Sequence, residues 1–139
     1  MLPRMPLEGS CMCGAVAYEV DEPFAAFPYC HCSRCRKRTG SAHAANAFVP
    51  IAQFRWLRGE ANVKRWDLEG TRWTSAFCST CGCSAPWVNR TGTMMVVPTG
   101  SLEGEMTERP RSSIHFASRA PWYVHASELT AYDELPPRT

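Results

Sequence analysis

The chain has 139 residues, 45% of them apolar and 20% charged, with a net charge of +2 and a pI of about 8.2. That balance excludes a disordered chain. It also argues against a nucleic-acid partner, because a dedicated nucleic-acid domain has a pI above about 9. A chain of this length buries roughly two thirds of its unfolded surface, so a single domain with its own core is expected over residues 1–139.

The opening stretch, "MLPRMPLEGS", has two prolines and no apolar run, so no secretory signal is read there. Short strands are expected next. "GAVAYEV" (Gly14 to Val20) places Val16, Tyr18 and Val20 on one face. A short helix is expected after Cys32. "ANAFVP" and "FRWLRG" read as strands, the first limited by Pro50. "NVKRWDL" and "TRWTSAFC" form a hairpin around Glu69 and Gly70. "TMMVVPTGSL" is a strand that Pro98 ends or places at an edge, "SSIHFAS" is a late strand, and "ASELTAY" a second short helix. Trp122 and most of Trp56, Trp66, Trp73 and Trp87 are expected in the core. The fold class is all-β and mainly antiparallel, with zinc-binding knuckles and little helix. Apolar runs such as "MMVV" are too short to cross a membrane, so a cytoplasmic chain without a membrane partner is expected.

In that compartment eight cysteines read as metal thiolates in preference to disulfides. They fall as Cys11-x-Cys13, Cys30-x-Cys32-x-x-Cys35 and Cys78-x-x-Cys81-x-Cys83. Such close thiols strain a disulfide but suit chelation at about 2.3 Å. Gly14 follows Cys13 and Gly82 follows Cys81, permitting left-handed turns that aim backbone N–H groups at sulfur. Cys11, Cys13, Cys78 and Cys81 therefore make a closed, structural zinc site. Cys30, Cys32 and Cys35 leave a fourth position open, as catalytic zinc does. Arg34, Arg36, Lys37 and Arg38 offset the thiolate charge or form a solvated face, and Arg36 or Lys37 could hold a substrate carboxylate. Cys83 reads as a small buried thiol, with fourth ligand of the central site as the alternative. His31 could be a fourth ligand, though in an extended stretch it points away from its neighbours' face.

The segments "GSCMCGAVAYEV", "CHCSRCRKRTGS", "FCSTCGCSAPW" and "SRAPWYV", in that order, resemble the family of glutathione-dependent formaldehyde-activating enzymes and their centromere protein V relatives. The likeness runs from Gly9 to about Pro136. It implies layered sheets of the Mss4 type and a structural zinc on Cys11, Cys13, Cys78 and Cys81. It implies a second zinc on Cys30, Cys32 and Cys35. It also implies condensation of glutathione with formaldehyde or a related small aldehyde, a carbon–sulfur lyase reaction run in reverse. In that reaction His31 or Ser41 could give a proton to the oxygen of the thiol–aldehyde adduct. Cys83 falls outside the family's ligand pattern, and Ser113 stands where many relatives carry a histidine. No role is therefore carried to His115, which is expected as a structural strand residue. Two other readings remain: a zinc-stabilised module binding protein or nucleic acid, and a thiol- or metal-binding protein without turnover.

Overall fold

The computed structural model describes residues 5–138. Short apolar segments cut by Gly and Pro fold into short strands. In chain order these are β1 (Leu7–Ser10), β2 (Ala17–Val20), β3 (Pro28–Cys30), β4 (Ala44–Pro50), β5 (Phe54–Arg58), β6 (Val63–Asp67), β7 (Thr74–Cys78), β8 (Trp87–Val88), β9 (Met94–Pro98), β10 (Leu102–Glu103) and β11 (Ser112–Ile114). One helix, α1 (Ser33–Thr39), follows β3. No helix among the described residues is long and apolar enough to cross a membrane.

One sheet has the order β10-β1-β2-β5, a second β11-β3-β4-β9-β8, and β6 and β7 pair alone. All pairings are antiparallel except β11 with β3. Leu7, Tyr18 and Val20 of the first sheet and Ala47, Val49, Met95 and Val97 of the second share one buried cluster, so the two sheets close over a common core.

The hairpin across Glu69 and Gly70 forms as expected, pairing Val63 with Cys78 and Asp67 with Thr74. β2 begins only at Ala17, because the Cys11–Gly14 turn takes up the start of the predicted strand. Val16, Tyr18 and Val20 are buried as expected. Pro98 does end β9, which lies between β4 and β8 with Met95, Val96 and Val97 buried. Of "SSIHFAS" only Ser112–Ile114 is extended; His115 takes a left-handed conformation and the chain turns. Instead of a helix, "ASELTAY" forms a single 3₁₀ turn at Ala126–Glu128. The tryptophans depart furthest from expectation. Trp66 and Trp122 are 55% and 65% exposed, and Trp56, Trp73 and Trp87 are half-buried. The apolar demand of this small core is met instead by Val, Ala, Phe24, Phe27, Leu7, Met95 and Tyr18.

Candidate metal and thiol site

The turn after β1 and the end of β7 bring Cys11, Cys13, Cys78 and Cys81 together, with all four Sγ atoms within 4.8 Å of one another. Gly14 and Gly82 have φ of 78° and 79°, the left-handed turns that their positions predicted. Their N–H groups close the turns on the carbonyls of Cys11 at 3.2 Å and Cys78 at 2.8 Å. Val16 donates its N–H to Cys11 Sγ at 3.3 Å. Backbone N–H groups of Cys83 and Cys13 hold the Cys81 thiol down to about 6, and that of Cys81 lowers Cys78. The Sγ atoms of Cys11 and Cys13 are 3.6 Å apart and those of Cys13 and Cys78 3.8 Å. A tetrahedron with bonds of about 2.3 Å to zinc has edges of about 3.8 Å, so the donor set fits that ion.

The second group stands where β3 passes into α1. Cys30, Cys32 and Cys35 place their Sγ atoms within 4.8 Å of one another, and no other His, Cys, Asp or Glu among the described residues joins them. Cys32 caps α1 by accepting the Cys35 N–H at 3.3 Å, and Gly40 ends the helix at a φ of 66°. Burial pushes the Cys30 thiol up, and burial with the charges of Cys30 and Cys32 pushes Cys35 up to about 12. Burial also works against the Cys32 thiolate, yet the N–H groups of Cys35 and Arg34 bring it below its ordinary value. Three thiolates in so small a space would need a cation to coexist, and a soft divalent metal would provide it.

Two hollows of different character border these thiols. One, of about 480 Å³, is open and the more polar of the two; Cys30, Cys32 and Cys35 share its wall with Arg34, Arg72, Trp73, His115 and Ser118. The other, of about 170 Å³, is walled by aromatic and aliphatic side chains beside Cys30 and Cys35. Arg38 stands at its edge, half-buried, 5.1 Å from the Trp87 ring and donating to Ser84 Oγ at 2.9 Å. Arg36 and Lys37 line neither hollow; Arg36 is half-buried with its Nε unpartnered. Arg72 and Trp73 carry no motif, so only the β6–β7 hairpin reveals them, while Trp87 ends the segment "FCSTCGCSAPW" and by hydrophobicity alone reads as core.

His31 is wholly buried beside His43, Phe116 and Tyr123, its ring centroid 5.0–5.1 Å from each of theirs, and it joins neither thiol group. His115 is exposed beside the polar hollow, not fixed in a strand. Cys83 is half-buried next to Cys81 and belongs to neither group.

A layered antiparallel protein with two sulfur clusters fit for metal, one of them bordering hollows, is the class that fold and site define. The chain belongs to the glutathione-dependent formaldehyde-activating enzyme family, whose sequence model matches residues 6–118. A Halomonas elongata protein, provisionally named a glutathione-dependent formaldehyde-activating enzyme, is 34% identical over 118 residues, covering 80% of this chain and 74% of that one. The crystal structure of a Rhodobacter sphaeroides protein superposes with a TM-score of 0.60 at 28% identity, covering 76% of this chain and 98% of the other.

Proposed function

We propose that the chain is a carbon–sulfur lyase-type enzyme of the cytoplasm that adds a thiol, glutathione, to formaldehyde or a related small aldehyde. Two zinc ions are assigned, a structural one to Cys11, Cys13, Cys78 and Cys81 and a catalytic one to Cys30, Cys32 and Cys35. The observation that carries this reading is the three-thiol group, with no fourth ligand atom beside it among the described residues and an open hollow against all three sulfurs.

Glutathione carries two carboxylates and one ammonium near neutral pH. The polar hollow suits such a group, with Arg34 and Arg72 in its wall. Arg36 and Lys37, further along α1, extend the positive flank and steer the anion towards it. When bound, zinc supplies the charge that keeps a substrate thiol deprotonated at neutral pH. The thiol sulfur then donates an electron pair to the aldehyde carbon. A carbon–sulfur bond forms, the carbonyl π pair moves onto oxygen, and that oxygen takes a proton. His115 borders the hollow and is placed to give it. His31 and Ser41 line neither hollow, which removes them from that role. In reverse, the same groups expel the thiol and release the aldehyde.

The addition is easy without a catalyst, so the test is exchange at equilibrium. Line-exchange NMR of glutathione with formaldehyde should show faster interconversion when protein is present, and calorimetry should show glutathione binding. A protein that leaves the exchange rate unchanged and binds no glutathione would overturn the proposal.

A further inference from the structure

The two hollows share Cys30, Cys35, Arg72 and Trp73 but differ in size and in the rest of their walls. A tripeptide is too large for the smaller one, whose surface is mostly apolar with Arg38, Asn46, Arg72, Thr74 and Asn89 as its polar members. Formaldehyde, little larger than water, would leave most of it empty, since one water claims about 30 Å³ of liquid volume. The hollow measures about 170 Å³. An apolar cavity of about 150 Å³ holds a benzene ring.

The apolar part of its wall includes Phe48, Trp73, Trp87, Val96 and Ile114, gathered from four strands and the residue before β7. Cys30 and Cys35 stand in the same wall, so a ring seated there has its substituent beside the thiols. Asn46, on β4, and Arg38, on α1, add N–H donors for a carbonyl oxygen. We infer that the aldehyde this chain accepts carries an aromatic or branched apolar group of about benzene size, which fills the hollow of Phe48, Trp73, Trp87, Val96 and Ile114. The inference rests on the thiol–aldehyde reading and names its second substrate. The step is balanced: the thiol sulfur bonds to the carbonyl carbon, the π pair goes to oxygen, the thiol proton ends on that oxygen, and nothing is oxidised or reduced.

Two measurements on the metal-loaded full chain test it. The first compares glutathione exchange with phenylacetaldehyde and with formaldehyde. The second measures binding of S-benzylglutathione and S-methylglutathione by tryptophan emission, which needs no turnover. Both are repeated with Ile114→Trp, a filling change at a 39% exposed position on an edge strand, after its circular dichroism and metal content are matched to the parent. Burying one ring predicts a preference of about ten- to a hundredfold for the benzyl ligand, with phenylacetaldehyde favoured likewise. Ile114→Trp should erase both preferences. Equal binding of the two ligands, or a benzyl preference that survives Ile114→Trp, would overturn the inference. Formaldehyde exchange without a benzyl preference would sink the inference and leave the enzyme reading standing. A benzyl preference without any aldehyde exchange would do the reverse.

Discussion

Asn62 donates from Nδ2 to Cys78 Sγ at 3.3 Å while its Oδ1 accepts from Ser79 Oγ at 2.8 Å, so one amide orients a thiolate and the turn after it. Partners one step removed from a metal set ligand direction and basicity, and their loss costs about 10–100-fold in affinity. Asn62→Ala should therefore keep both metal equivalents yet release one more readily to a chelator. Competition titration reads this directly; an unchanged affinity would leave Asn62 as a turn residue only.

Cys78 is wholly buried at the end of β7 and belongs to the core cluster. Metal bound there is folding free energy. Cys78→Ser should lose that metal and either precipitate or melt far below the parent. Soluble protein with unchanged thermal stability would remove the structural role.

Cys32→Ser should behave differently. Serine is itself a good helix cap and can accept the Cys35 N–H as the sulfur does, so α1 survives. One metal equivalent and the thiol exchange activity should go while the melting temperature stays near the parent's. Collapse of the fold would make the central site structural.

Among the cations, the hollows divide the roles. Arg34→Ala and Arg72→Ala should weaken glutathione by roughly ten- to a hundredfold at low and high salt alike, as a charge-assisted contact of about 1.5–3 kcal/mol would. Arg36→Ala and Lys37→Ala should cost less, and salt should erase their effect, because neither side chain lines a hollow and a charge that only steers acts through screening solvent. Calorimetric titration of the four variants separates contact from steering; a salt-resistant loss at Lys37 would reverse the assignment.

Gly9 lies on β1 directly against Tyr18, whose ring would sit 2.5 Å from an added Cβ. Tyr18 is almost wholly buried and its hydroxyl is bonded to that of Ser101, so the ring cannot give way cheaply. Gly9→Ala should destabilise the chain by about 1–3 kcal/mol without touching metal content. Thermal melts with metal analysis check both parts.

The thiol groups were legible because chelation needs ligands close in sequence and glycine where the turn becomes left-handed; Cys11, Cys13, Cys78 and Cys81 meet both conditions. β4 through β7 and β9 were legible by their runs of β-forming residues. β3 and β8 have three and two residues, too few to show a period of two. The parallel pairing of β11 with β3 joins segments more than eighty positions apart, which no local pattern encodes. Placing tryptophan in the core failed at Trp122 and Trp66, which are exposed, and at Trp73 and Trp87, which line a hollow. A large aromatic serves a pocket wall as well as a core, and hydrophobicity cannot tell the two apart.

The β6–β7 hairpin pairs with neither large sheet, and Cys78 pins its far end to the first sulfur cluster. Thr74, at the near end, and Trp73 beside it form part of the apolar hollow. Four residue steps at about 3.4 Å each separate the two ends, roughly 14 Å. The hairpin is in effect a lever, clasped by sulfur at one end, with the wall of the apolar hollow at the other and its turn held by the bond from Arg90 to the Thr71 carbonyl at 3.0 Å. A metal held by the four thiols would then bear on the hollow's shape without touching what fills it. A mild chelator that empties the four-cysteine cluster should shift Trp73 emission, taken as the difference from Trp73→Phe, before the far-ultraviolet spectrum changes; emission that moves only with global unfolding would show the lever to be rigid.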